Sequence, residues 1–283
     1  MNTNSTLQQQ FQRDGFTIVR SLFSPEQIAF YKQELDQLSD GRSQKWTLPD
    51  GVCQNRPFWD VIFDANILAM VRGIFGDNIK FLQHNDLHVG FSSFHWHRDN
   101  VCRTFGKGPD WDESVEPYQL VRVGIYLQDS AGGFRLGLVR GTHRPDRLPE
   151  NERHFIESKM GGLSKALTLL GGKDPLDARA DWVAPAPGDC VIFDPRTIHT
   201  GSNFQGTKYS FFVAYGVENS HFRNHYNYYR HLREDLNYKQ LHPELVERLR
   251  VADLYADESF DGEPVEGAWL PSKAFSFVAS QFK

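Results

Sequence analysis

The stretch Phe94-His95-Trp96-His97-Arg98-Asp99 closes a run in which Ile79, Phe81, Leu87, Val89 and Phe91 share one parity and mostly polar residues take the other. Such alternation predicts a strand with one buried face. Downstream, Leu120–Leu127, Phe134–Val139, Cys190–Phe193 and Lys208–Val217 read as further short strands. They are bounded by turn signals such as Ser130-Ala131-Gly132-Gly133, Arg140-Gly141-Thr142 and Pro187-Gly188-Asp189. Upstream, Phe16–Arg20 follows the Asp14-Gly15 turn signal as a short strand. A helix then starts at Ser24, with Pro25 in its first position and Gln27 completing a capping box. A second helix is predicted from Ala65 to Phe75, with Ile67, Met70, Val71 and Ile74 on its buried side and Gly76 ending it. Many short strands after two leading helices predict a mainly β fold with flanking helices, an antiparallel sandwich or barrel. We place the β core at 79–217, interrupted by a polar loop at Val101–Gln119 and by a segment from about Asn151 to Ala180 with a helical patch at Leu163–Leu170. Residues 1–78 and 218–283 are then mostly helical flanks of a single domain spanning 1–283, with helices expected at Tyr226–Leu236 and Pro243–Tyr255.

Composition narrows the partners. Hydrophobic residues make up 40% of the 283 and charged residues 24%, ordinary for a globular chain. The 31 basic and 36 acidic residues leave a formal net charge of -5, with no basic surplus to attract nucleic acid or an anionic membrane. Met1–Gln10 lacks the order of a signal peptide and no run is long enough to span a bilayer, so a cytoplasmic protein is expected. Cys53, Cys102 and Cys190 are odd in number and far apart, which fits reduced thiols. The aromatic C-terminal region could pack across a homodimer or cover a site.

The opening stretch also carries the chemistry. In extended backbone, residues i and i+2 point to one side, so His97 and Asp99 can bind one ion together. Two histidines and one carboxylate on one face of a metal leave the remaining positions open to small molecules, which suits non-haem Fe(II). The missing histidine is best supplied by His199, because Gly188-Asp189-Cys190-Val191-Ile192-Phe193-Asp194-Pro195 reads as a turn, a buried strand and a strand end that would carry it to the sheet rim. His95 has the parity of His97, so a cupin-type set built on His95 and His97 with later ligands stays open. Phe105, Trp111 and Tyr118 lie on the loop after Asp99 and could close over a small organic substrate. Arg122 and Tyr126 share parity with Gly124 on a strand and would face the barrel interior.

These motifs occur in an order that resembles the phytanoyl-CoA dioxygenase branch of the Fe(II)/2-oxoglutarate-dependent oxygenases. The resemblance starts with Phe11-Gln12-Arg13-Asp14-Gly15-Phe16-Thr17-Ile18-Val19-Arg20 and the Ser24-Pro25-Glu26 helix start, and continues with His97-Arg98-Asp99. Gly132-Gly133-Phe134-Arg135, Arg140-Gly141-Thr142-His143-Arg144, Pro187-Gly188-Asp189 and His199-Thr200-Gly201-Ser202-Asn203 follow. It implies a double-stranded β-helix (a cupin-like jelly roll), with Fe(II) on His97, Asp99 and His199, 2-oxoglutarate as co-substrate and O2 as oxidant. Retention of Asp99 sets the chain apart from the related halogenases. The family usually grips the distal carboxylate of 2-oxoglutarate with an arginine, often in an Arg-x-Ser pattern. Here Lys208-Tyr209-Ser210 stands in that region, so Lys208 and Ser210 are expected to hold the carboxylate from one strand face, without arginine's bidentate fork. Arg122 or Arg140 is the alternative, and Gln83 a further candidate for hydrogen bonding the co-substrate. Two other readings compete: a cupin-like dioxygenase that uses no keto acid, and a β-helix binding protein without turnover.

Overall fold

The computed structural model describes residues 3–93, 95–128, 133–160, 174–204, 206–256 and 264–270. In chain order its main elements are α1 (Thr3–Asp14), β1 (Phe16–Val19), α2 (Pro25–Ser39), β2 (Trp46–Pro49), α3 (Gly51–Gln54), α4 (Trp59–Ile62), α5 (Ala65–Phe75) and β3 (Ile79–Val89). They continue with β4 (Leu120–Tyr126), β5 (Leu136–Leu138), α6 (Glu150–Lys159), β6 (Asp181–Val183), β7 (Cys190–Phe193), β8 (His199–Gly201), β9 (Tyr209–Val217), α7 (Ser220–Asn227) and α8 (Pro243–Val251). The helical patch expected at 163–170 lies outside the described residues.

A six-stranded sheet runs β1-β7-β4-β9-β3-β2, and a three-stranded sheet runs β6-β5-β8. Strand β7 pairs antiparallel with β1 on one side and β4 on the other, with Phe193 opposite both Phe16 and Arg122. In the smaller sheet β5 pairs antiparallel with β6 and with β8, and Leu138 lies opposite His199. Antiparallel sheets flanked by helices are the architecture expected above.

Local signals explain the elements that match expectation. The Ser24 hydroxyl accepts from Gln27 N while the Gln27 side chain accepts from Ser24 N, so the capping box opens α2 as read. Asp64 caps α5 by accepting from Asn66 N and Ile67 N. The structure adds α1, which periodicity does not announce, since Leu7 and Phe11 are its only apolar residues. It shortens the second C-terminal helix to α8, and the expected helix over 226–236 becomes α7 followed by a π-helical turn, Tyr228–Leu232. Strand β3 stops at Val89, so His97 and Asp99 lie beyond the strand, where His97 makes an isolated antiparallel bridge with His199.

The chain divides into two compact units. The first comprises Met1–Thr47, Leu87–Asp99 and Val121–Phe212; the second comprises Leu48–Asp86, Asn100–Leu120 and Val213–Lys283. The first is built on a core of Phe16, Tyr126, Phe134, Val191, Phe193 and Phe212 with their aliphatic neighbours. Burying each such side chain contributes about 1.5–3 kcal/mol. Gly124 is required in that core, because a Cβ there would come within 2.6 Å of the Phe212 ring. In the second unit, Leu82, Tyr118, Leu120, Phe222 and Tyr226 form one apolar cluster. There Tyr215 packs its ring edge-on to Phe81 and donates its hydroxyl to Ile62 O. No described helix is long and apolar enough to cross a membrane.

Candidate metal centre and adjoining pocket

His97 and His199 are brought together by backbone. His97 N donates to His199 O at 3.0 Å and His199 N donates to His97 O at 2.9 Å, the reciprocal bonds of a hydrogen-bonded antiparallel pair. Paired residues of that kind project side chains to one face, and the two imidazole centroids lie 4.2 Å apart. Asp99 N donates to Pro195 O, tying the third residue to the chain that precedes His199. His97, Asp99 and His199 thus form a group whose ligand atoms all lie within 4.8 Å of one another.

The ring orientations decide what this group can hold. His97 Nδ1 lies 2.6 Å from His95 O and His199 Nδ1 lies 2.9 Å from Thr197 O. A carbonyl only accepts, so each Nδ1 carries a ring proton, and Nε2 is the nitrogen whose lone pair a neutral ring would offer to a metal. Those lone pairs meet the Asp99 carboxylate: His97 Nε2 is 3.8 Å from Oδ1 and His199 Nε2 is 3.7 Å from Oδ2. Convergence of two imidazole Nε2 atoms and a carboxylate fits a divalent transition metal, and carbonyls on the far ring nitrogens are the usual orienting partners of metal-binding histidines. His95 is exposed and lends its carbonyl, while its ring lies outside the group.

Buried polar contacts set the loop that carries His199. Arg196 is 1% exposed and forks onto Asp194, with Nε at 3.1 Å from Oδ1 and Nη2 at 2.9 Å from Oδ2. Asp194 N and Thr197 Oγ1 both donate to Gly15 O, and Ile198 N donates to Thr142 Oγ1. Gly15 has φ +84°, and a Cβ there would stand 2.5 Å from both His143 Nδ1 and Thr197 Oγ1, so glycine is dictated at this turn. Burial holds the His143 imidazole below its ordinary pKa, as a neutral packing group. The Asp14-Gly15 and Thr142-His143 motifs are therefore struts for the loop that presents His199.

The other candidate residues read from sequence belong to different units. Arg122 is buried, with Nη1 3.3 Å from Asp99 Oδ2 and its guanidinium 5.1 Å from the Phe212 centroid. Lys208 is buried at the entry to β9, its Nζ 4.5 Å from the Phe134 centroid and 5.7 Å from that of Tyr126. Ser210 is fully buried, and its Oγ has no hydrogen-bond partner among the described residues. Arg140 instead pairs with Asp181 and Asp14. Gln83 belongs to the second unit, where Nε2 donates to Asp50 Oδ1 and Lys239 O. Phe105 and Trp111 form an edge-to-face pair at 5.5 Å in that unit, and Tyr118 packs against His221 at 5.2 Å. Sequence reading missed Gln128, which is buried in the first unit two positions beyond Tyr126. Its parity with Arg122, Gly124 and Tyr126 is the signal that points to it.

Comparison with known proteins gives this geometry a context. The family model described as phytanoyl-CoA dioxygenase matches residues 11–209. No curated protein matches the chain by sequence. Among solved structures, HygX from Streptomyces hygroscopicus with nickel and 2-oxoglutarate bound is 16% identical, with a TM-score of 0.54 over 75% of this chain and 86% of its own. The non-heme alpha ketoglutarate dependent epimerase SnoN from nogalamycin biosynthesis is 15% identical, with a TM-score of 0.52 over 75% and 82%. The carbocyclase SnoK from the same biosynthesis is 13% identical, with a TM-score of 0.53 over 75% and 83%. The shared feature at these identities is the fold, a double-stranded β-helix.

Proposed function

We infer that this chain, which belongs to the phytanoyl-CoA dioxygenase family, is an Fe(II)- and 2-oxoglutarate-dependent dioxygenase that hydroxylates a small organic molecule. The observation that carries this reading is the pair of Nε2 lone pairs converging on the Asp99 carboxylate, each fixed by a carbonyl on the opposite ring nitrogen. His97, Asp99 and His199 would hold the iron. When bound, iron and the keto acid supply oxidation of a substrate C–H bond by dioxygen, with 2-oxoglutarate leaving as succinate and carbon dioxide.

The chain's own residues orient and shield. Arg122 lies on the Asp99 carboxylate and steadies its orientation. Lys208 and Ser210 would receive the distal carboxylate of the keto acid, the ammonium supplying charge and the hydroxyl a donor. Tyr126, Phe134 and Phe212 wall this region with apolar surface, which excludes water from the reacting groups. Hydroxylation is the outcome proposed because Asp99 keeps a carboxylate beside the two histidines, so no vacancy is offered to a halide.

The test is anaerobic addition of Fe(II) and then 2-oxoglutarate to the purified protein. A weak visible charge-transfer band is expected, followed by succinate release on admitting oxygen. Absence of both band and succinate would overturn the reading.

A further inference from the structure

We propose that Gln128 is a selectivity residue of the keto-acid site, its side-chain amide donating to the distal carboxylate of 2-oxoglutarate beside Lys208. The proposal rests on the dioxygenase reading above. Gln128 is 3% exposed, yet neither Oε1 nor Nε2 has a hydrogen-bond partner among the described residues. A buried amide left so is costly at both atoms, and native proteins retain such groups where a ligand, ion or water completes them.

The strand register shows where that amide sits. Leu127 N donates to Tyr209 O, and Gly124 faces Phe212, so moving back along β4 corresponds to moving forward along β9. That antiparallel register puts Tyr126 opposite Ser210 and Gln128 opposite Lys208, and opposed residues share one face. The face is the one turned to the metal group, since Arg122 of the same parity reaches Asp99, and the Lys208 ammonium lies over the Tyr126 and Phe134 rings. Two neighbouring strands thus offer an ammonium, a hydroxyl and a carboxamide on one face, beside aromatic rings.

Charge and geometry then point to a carboxylate. A cation held against aromatic walls favours an anion as its neighbour. Lysine is a point charge and cannot make the two parallel hydrogen bonds of an arginine fork. A primary amide opposite it supplies the second N–H, so Lys208 and Gln128 together offer one donor to each carboxylate oxygen, with Ser210 as a third.

The experiment titrates 2-oxoglutarate anaerobically into Fe(II)-loaded wild type, Gln128→Leu and Gln128→Glu, reading heat and the visible band. It is repeated with 2-oxobutyrate, which has the same keto-acid head and no distal carboxylate. Gln128→Leu is expected to weaken 2-oxoglutarate roughly tenfold to hundredfold and leave 2-oxobutyrate unchanged. Gln128→Glu is expected to lose more, because the new carboxylate occupies Lys208 and repels the ligand. The Fe(II)-dependent rise in melting temperature should persist in both variants. Unchanged 2-oxoglutarate affinity in both variants, or equal loss for the two keto acids, overturns the role of Gln128. Wild type that binds Fe(II) and no 2-oxoglutarate overturns the dioxygenase reading itself.

Discussion

Asp99 in the first unit and Asp50 in the second are both carboxylates drawn away from water, and their surroundings are opposite. Asp50 is 1% exposed and meets only donors: Gln83 Nε2 and Asn85 Nδ2 on Oδ1, Gln54 Nε2 and Lys239 N on Oδ2. Asn85 extends the cluster by accepting from Val52 N and bonding its backbone to the Tyr238 hydroxyl. Burial pushes the Asp50 carboxyl up and these donors pull it back. Asp99 has the two imidazole Nε2 atoms at 3.8 and 3.7 Å and the Arg122 guanidinium at 3.3 Å. A carboxylate enclosed by donors is completed by its own chain. One set beside two imidazole Nε2 atoms shares with them a place where a metal ion fits, which is why burial alone would mislead and the kind of each neighbour matters.

Removing each carboxylate tests that contrast, and the largest effect is expected at Asp99. Asp99→Ala should reduce succinate formation on the order of a thousandfold or more and abolish the Fe(II)-dependent rise in melting temperature. Its stability without metal should fall as well, since the substitution leaves the buried Arg122 guanidinium without this carboxylate. His95→Ala should leave the metal-dependent rise intact. The reverse pattern, with metal binding kept in Asp99→Ala and lost in His95→Ala, would restore the cupin-type ligand set and break the comparison.

At Asp50 the effect should fall on folding. Asp50→Asn turns an amide N–H₂ toward two of the four donors, so about 2–4 kcal/mol of stability should be lost in urea unfolding. Iron affinity of the folded fraction should be unchanged. Loss of iron binding with stability intact would mean that the donor-closed cluster serves the site and not the fold. A smaller loss is expected at the mouth of β9: Lys208→Met should weaken 2-oxoglutarate about a hundredfold while Fe(II) binding survives. Lys208→Arg should recover most of it if the bound group is a carboxylate.

What could be read from sequence followed how local the determinant is. The capping box at Ser24 and Gln27, the run Cys190–Phe193 and helix α5 are set by neighbours within a few residues, and the structure reproduces them. The grouping of His97 with Asp99 is local as well. Joining them to His199 depends on a backbone pairing between distant segments, which the ordered flanking motifs indicated and periodicity alone did not. The Asp50 cluster had no such marker. Gln54, Gln83, Asn85 and Lys239 come from separate segments and carry no spacing, so nothing in the sequence distinguishes Gln83 as a donor to Asp50 from a ligand for the keto acid. Gln128 was easier to overlook than to exclude, since polarity at a strand end ordinarily means exposure, although its parity with Arg122, Gly124 and Tyr126 was legible.

Asp14 offers an intermediate case with the smallest expected effect. Its carboxylate is buried, yet its main partner is the exposed Arg13, whose Nε and Nη2 lie 2.8 and 2.7 Å from its oxygens, and Arg140 adds a longer contact. The Arg13 hydrogen bonds hold the Asp14 carboxyl below its ordinary pKa, partly offset by burial. A carboxyl whose folded pKa is depressed stabilises the fold above its unfolded pKa, and that stabilisation is lost as the pH falls through the folded value. Stability should therefore decline from about pH 4 downward in wild type, and less steeply in Asp14→Asn. Because water screens Arg13, the difference should stay below about 1 kcal/mol, measured as urea midpoints across that range. A difference as large as that at Asp50 would show that an exposed donor can close a carboxylate as firmly as buried amides do, and would remove solvent screening from the contrast between the two regions.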